Sequence, residues 1–231
     1  MENELLTSRK PVVVINAEEV DPSLDSVVTD SKGNTQKMIQ FLIDIGHQRI
    51  ACVYNRSYHH PVPSANFLIR VAAYQETLQK NNLPVDPDLI VCFYHQKKVN
   101  DATLVDNNSF ALYSNIEEDL AKFEALLSLP SPPTAIFCCG DEIAMYVYKL
   151  ATRKGLKIPQ DLTVVGYDDI IEAAIVKPGL TTVRTPLQEM GRLAVKRLGE
   201  KLIEQTKGIN TSYKISLPGE IVLRDSHLKL K

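Results

Sequence analysis

The sequence predicts an α/β fold of parallel sheets covered by helices. Short β-branched runs alternate with longer runs of helical period, as where "SVVTD" (26–30) precedes a face made by Met38, Phe41, Leu42 and Ile45. The strand-like runs are continuously apolar, as in "PVVVIN" (11–16), which is the pattern of strands covered on both faces. The connections between them are mostly short, which implies right-handed crossovers between parallel neighbours.

Each element follows in order. "PVVVIN" and "SVVTD" are strands. Asp30 or Ser31 can cap the helix that follows, and Gly46 can end it in the left-handed conformation. "RIACVY" (49–54) is a strand, 64–81 a helix with Ala73 and Leu78 inward, "NNLPVDPD" (81–88) a loop and "LIVCFY" (89–94) a strand. Residues 95–113 are polar, without a clear period, and read as a long loop. Ser114 and Glu117 form a capping-box pattern before a helix to about 128, broken by Pro130, Pro132 and Pro133. "TAIFCC" (134–139) is a strand, 141–154 a helix stopped by Gly155, and "LTVVGY" (162–167) a strand. Pro186 opens a helix to 205, and the tail "YKISLPGEIVLRD" holds two short strands split by Pro218 and Gly219.

Composition narrows the function classes. The 231 residues suffice for one large domain or two smaller ones with real cores. Lys and Arg number 26 against 28 Asp and Glu, so no basic field draws the chain to nucleic acid or anionic lipid. A nucleic-acid role would need a separate module. The start, "MENELLTSRKPVVVIN", lacks the basic and apolar regions of a signal peptide, and no apolar run is long enough to span a bilayer. A cytoplasmic location is expected. Cys52, Cys92, Cys138 and Cys139 lie in apolar strand-like runs without C-x-x-C spacing and read as small buried hydrophobes.

In parallel α/β sheets the ligand cleft lies beyond the carboxyl ends of the strands. Asp141 follows "TAIFCC", and the doublet Asp168–Asp169 ends "VVGYDD". An Asp between strand and helix commonly caps the helix, and that reading holds for Asp141 on its own. In the doublet one carboxylate can cap while the other faces the cleft. The constellations of catalysis are missing: there is no G-x-G-x-x-G after a strand, no phosphate-binding G-x-x-x-x-G-K-[ST] and no G-x-S-x-G elbow. His59 and His60 form a loop pair without a second ligand cluster, and His47 sits where an imidazole can donate to the last carbonyls of a helix. No enzyme activity, metal or cofactor is expected.

The ordered segments "VVVINAEEVDPSLDSVVTDSKG", "FLIDIGHQRIACV", "LPSPPTAIFCCGDEIA", "LKIPQDLTVVGYDD" and "PGLTTVRTPLQEMGRLAVKRL" resemble the effector-sensing core of LacI/GalR-type bacterial transcriptional regulators, from about residue 11 to 225. The resemblance implies two Rossmann-like subdomains with parallel sheets, the periplasmic-binding-protein-like fold, with a sugar or nucleoside-like effector between them. It implies residues 1–56 plus 184–206 in an N-terminal subdomain and 57–183 plus 207–231 in a C-terminal one. By the same resemblance Arg70 and Asp168 bind effector hydroxyls from opposite walls, with Asp141, Gly140 and Thr185 beside them. A guanidinium and a carboxylate suit a polyol, whose hydroxyls both donate and accept. The family acts as dimers, and effector-driven closure moves paired DNA-binding heads on an operator.

The chain departs from the family pattern at Gly140, where Asn is common, at Ala73 in place of Gly, and at Thr185 and Leu187. The long 95–113 segment is similar to that of arabinose-repressor types. No helix-turn-helix is present, and the family's opening strand–helix units are missing, so the first subdomain is expected to be incomplete and the chain a fragment. Expected partners are therefore a small sugar, a second copy of the chain, and operator DNA only through a head that this chain lacks. A transport-type sugar-binding protein, or a truncated fragment without a ligand, are the alternatives.

Overall fold

The computed structural model describes residues 10–57, 63–95, 116–209 and 211–230. The expectations for the His59–His60 pair, for 96–113 and for the Ser114 cap lie outside those residues. Three sheets organise the described residues. Strands β1 (Val13–Ile15), β2 (Asp25–Thr29) and β8 (Lys214–Leu217) form a parallel sheet in the order β1-β2-β8. Strands β3 (Ile50–Ser57), β4 (Ile90–His95), β5 (Ala135–Cys138) and β6 (Thr163–Val165) form a second parallel sheet, in the order β4-β3-β5-β6. Strands β7 (Thr182–Arg184) and β9 (Glu220–Val222) pair antiparallel between them.

The second lobe carries the main core. Helix α1 (Ser31–Asp44) buries Thr35, Met38, Ile39 and Leu42, which recur at helical spacing. Helix α2 (Ala65–Lys80) packs beside it and buries Ala73, Tyr74, Thr77 and Leu78. Helices α3 (Ile116–Leu127) and α4 (Asp141–Arg153) add Phe123, Leu126, Ile143, Val147 and Leu150 to the same cluster. The strand residues Cys52, Val53, Ile136, Phe137, Val164 and Val165 are wholly inaccessible, as continuous apolar strands between two helical layers require. Asp30 caps α1 by accepting the Gly33 N–H at 2.9 Å, and Gly46 leaves the helix at φ +103°, a conformation that costs glycine little. His47 departs from its expected role: its ring nitrogens meet Thr134 Oγ1 and Leu228 O instead of the helix's last carbonyls.

The first lobe is smaller. Helix α6 (Leu187–Thr206) covers β1 and β2, and Val27, Met190 and Ala194 form its core with Val13, Leu193, Ile215 and Leu217 against them. Much of its definition is ionic. Arg197, 3% exposed, donates through Nε to Asp25 Oδ1 at 2.6 Å and through both terminal nitrogens to Glu204. Lys201 also bonds Asp25, and the guanidinium lies over the Tyr213 ring. Burial alone would raise the Asp25 carboxyl, but Arg197, Lys201 and the Tyr213 N–H outweigh it and hold it below the usual value.

The strand pairing corrects the expected subdomain boundaries at two places. The whole of β3, including 50–56, lies in the second sheet, and α1 before it packs on that sheet. In the tail, β8 joins the first sheet beside β2, so 214–217 do not belong with the second lobe. The chain thus crosses between lobes at Thr29–Ser31, at the end of β7, and between β8 and β9. The expected strand through Tyr167 stops at Val165, and a short helix, α5 (Ile171–Ile175), and strand β7 appear where no element was anticipated.

Removing one partner of a buried ion pair leaves the other charge without compensation. Asp25→Ala is expected to destabilise the chain by about 3 kcal/mol in urea unfolding, at the low end for buried pairs because Glu204 still holds Arg197. Because the Asp25 carboxyl is lowered on folding, its contribution is present above the unfolded value of about 3.9 and is lost as pH falls below it. Acid titration of unfolding should show the variant losing less stability than the parent over that range.

Candidate functional site

The segment after β6 meets the end of β7 and the start of α6 at an open cleft of about 700 Å³ lined by Asp168, Asp169, Arg184, Thr185, Pro186, Leu187, Gln188, Glu189 and Arg192. Arg70, Gly140 and Asp141 do not line it directly. Asp168 connects the two sets. Its Oδ1 lies 3.6 Å from Arg70 Nη2, and its side chain remains 40% exposed while Arg70 is 3% exposed.

Arg70 is fixed on several sides. It projects from α2, whose start is capped by Ser64. Its Nη1 donates to Cys139 O at the end of β5, and its guanidinium lies 3.5 Å from the centre of the Tyr167 ring. Phe67, one turn earlier on α2, is 5.9 Å away. A planar cation stacked on a ring keeps its fork in one plane. Arg70 Nε has no hydrogen-bond partner among the described residues.

Asp168 and Asp169 are held in unusual backbone conformations, at φ +117° and +58°. Such conformations persist where the surroundings over-determine them. Here the Asp168 N–H donates to Val183 O at 2.8 Å and Thr185 N–H reaches Asp168 O at 3.4 Å, lacing the doublet to β7. Neither residue caps α5, whose N-cap is Ile170, with no side-chain cap bond. Instead the two carboxylates diverge. Asp168 faces Arg70, and Asp169 accepts Arg184 Nε and Arg224 Nη2, each at 2.6 Å. Burial pushes the Asp168 carboxyl up to about 6 despite the opposing pull of Arg70. For Asp169 the two arginines prevail over burial and hold the carboxyl low.

The remaining expected residues divide. Thr185 is 6% exposed, and its hydroxyl lies beside the Asp168 carboxylate, where it opposes the effect of burial. Gly140 begins α4, and a Cβ there would stand 3.6 Å from Asp168 Oδ2 and 3.8 Å from Phe67. Its lack of a side chain therefore leaves room beside the carboxylate. Asp141 is placed differently from the effector contact expected of it. It is 1% exposed, and its two oxygens accept Thr182 Oγ1 at 2.6 Å and Ile170 N at 3.0 Å. It braces the loop after β6 against β7.

Sequence reasoning missed Tyr167, Phe67, Arg184, Arg224 and Asn66. Asn66, at the start of α2, donates to Asn16 O at 3.1 Å and accepts Glu18 N at 3.3 Å, a contact between lobes. In the sequence Tyr167 extends an apolar run and Phe67 sits on an ordinary helix; nothing local reports the guanidinium beside them. Among the described residues no three His, Cys, Asp or Glu are grouped to hold a metal ion, and no helix is long and apolar enough to cross a membrane.

A raised carboxyl favours the protonated form in the folded chain. The stability linked to Asp168 is therefore greatest below the unfolded value of about 3.9 and declines as pH rises through about 6. Carboxyl-carbon NMR should show Asp168 titrating near pH 6, and moving higher in Arg70→Gln, which removes the neighbouring cation.

Comparison with known proteins agrees with this architecture. Residues 39–227 match the family described as periplasmic binding protein-like domain. The ribose operon repressor of Haemophilus influenzae is 29% identical over 222 residues, 96% of this chain and 58% of that protein. A structure described as a putative LacI transcriptional regulator from Bacillus cereus subsp. cytotoxis superposes with TM-score 0.78 at 21% identity, covering 99% of this chain and 72% of that one. A LacI family transcriptional regulator from Enterococcus faecium, with bound ribose, gives TM-score 0.72 at 25% identity, covering 96% and 72%. The chain spans somewhat over half the length of the curated relatives it matches, 58% for the Haemophilus protein. It belongs to the periplasmic binding protein-like domain family.

Proposed function

We propose that this chain is the sugar-sensing domain of a transcriptional regulator and takes a small neutral sugar in the cleft between its lobes. The observation that carries the reading is Asp168 in the lining of that cleft, with the buried Arg70 behind it and the Thr185 hydroxyl beside it. A hydroxyl that reaches both from the side can accept from the guanidinium and donate to the carboxylate, and charge-assisted bonds of fixed direction separate one sugar from another. Phe67 and Tyr167 supply apolar surface nearby.

A neutral ligand is favoured over a phosphorylated one by the charge pairing. Arg184 is bound by Asp169 and Glu220, and Arg192 by Glu189, so the arginines lining the cleft already have carboxylate partners. The name of the Haemophilus relative and the ribose in the Enterococcus structure make ribose the first sugar to test. The role is binding without turnover. A ligand that touches both lobes binds the closed arrangement better and shifts the population towards it. The chain acts as a homodimer, and operator DNA is reached through a separate DNA-binding head.

Thermal-shift measurement with pentoses, hexoses and their phosphates tests the reading. A binding sugar at one hundred times its Kd should stabilise the chain by about 2.7 kcal/mol, a rise in Tm on the order of 5–10 °C. Arg70→Ala and Asp168→Asn should each weaken binding by roughly 10- to 100-fold. Affinity should also fall as pH drops below about 6, where Asp168 gains its proton, and Asp168→Asn should flatten that dependence. Failure of every sugar to stabilise the chain, or a hit unaffected by both substitutions, refutes the assignment. A shift with sugar phosphates alone would refute the preference for a neutral ligand.

A further inference from the structure

We propose that Asn34 is a positioning residue that ties the Arg70 wall to two of the three places where the chain crosses between lobes. This rests on the cleft being the effector site. Asn34 lies in the first turn of α1 and is 1% exposed. Its Nδ2 donates to Tyr167 Oη at 3.1 Å and to Thr29 Oγ1 at 3.2 Å, while its Oδ1 accepts the Gly219 N–H at 2.9 Å. Thr29 ends β2 at the first crossing, and Gly219 lies between β8 and β9 at the third. Tyr167 is the ring on which the Arg70 guanidinium rests. One amide group therefore joins the residue beneath the effector-binding cation to both crossings.

The geometry makes this connection narrow. Gly219 has no room for a side chain: a Cβ would stand 2.6 Å from Arg184 O and 3.0 Å from Asn34 Nδ2. The crossing backbone is thus pressed against Asn34 and against the end of β7 together. Tyr167 is wholly buried, so its phenol cannot turn to water without opening the core. A displacement of Arg70 that tilts the Tyr167 ring must stretch the Oη–Nδ2 bond or carry Asn34 with it. In the second case the Gly219 amide moves as well. A few such coupled bonds carry energies of about 0.5–2 kcal/mol, enough to bias a two-state hinge.

The main competing role for Asn34 is local: a buried amide that satisfies Thr29 and Gly219, with Tyr167 Oη as an incidental neighbour. Tyr167→Phe separates the two. It keeps the ring under Arg70 and leaves both Asn34 bonds to the crossings intact. Tyr148→Phe is the matched control, since it removes a phenol that donates to Pro178 O in the same lobe.

Amide hydrogen exchange at Gly219 is the readout, first without ligand. Tyr167→Phe is expected to speed it by about 2- to 30-fold, the range that a coupling of 0.5–2 kcal/mol allows, with no change in Tyr148→Phe. An unchanged rate in Tyr167→Phe, or the same rise in both variants, overturns the proposal. With ribose as probe, the parent chain should show altered exchange at Gly219 on binding, and Tyr167→Phe should bind ribose while losing that response. An equal response in both forms also overturns it. Should ribose and the other screened sugars bind nothing, the effector reading fails, and the ligand-free comparison still decides whether Asn34 links the wall to the crossings.

Discussion

The site depends on where one guanidinium is held. Arg70 is buried, bonded to the carbonyl that ends β5, stacked on Tyr167 and set against Asp168. A buried arginine is tolerated only when its charge and its donors are compensated, so each of these contacts is also a constraint on the element that supplies it. Helix α2, the ends of β5 and β6, and the strained doublet must all be in register for the pair to form. The second lobe has one continuous core from α1 to Leu180 and Val183.

The doublet shows how two identical residues acquire different chemistry from one residue of displacement. Positive φ at both positions turns the backbone so that successive carboxylates point apart. Asp168 remains in the cleft, partly reachable by water and with a carboxyl raised towards neutrality. Asp169 is engaged by Arg184 on β7 and by Arg224 just past β9, and its carboxyl is lowered. The first lines the cleft and the second grips the β7–β9 ribbon through Arg184 and Arg224.

The first lobe is built differently. Its apolar cluster is small, and the buried Asp25–Arg197 pair, with Lys201 and Glu204, fixes α6 on its sheet. Ionic fixing is directional, so it sets the orientation of α6 where the small apolar cluster alone would not. Asn66 adds a polar contact between the lobes through Asn16 O and the Glu18 N–H.

Periodicity alone gave the order of strands and helices through residue 165, because buried parallel strands and amphipathic helices leave patterns that are properties of local sequence. The family likeness named Arg70, Asp168 and Thr185, and the structure gathers all three at one place. The lobe boundaries were not legible, because a strand's sheet is chosen by its partner: nothing in "YKISL" says that it pairs with residues near 27 instead of with the second sheet. Nor was the difference between Asp141 and Asp168. Both follow a strand, and only tertiary packing brings Thr182 and the Ile170 N–H to one and Arg70 to the other. The sequence by itself determined the elements and the kinds of group available; the tertiary structure decided which groups meet, because burial and charge compensation depend on neighbours far away along the chain.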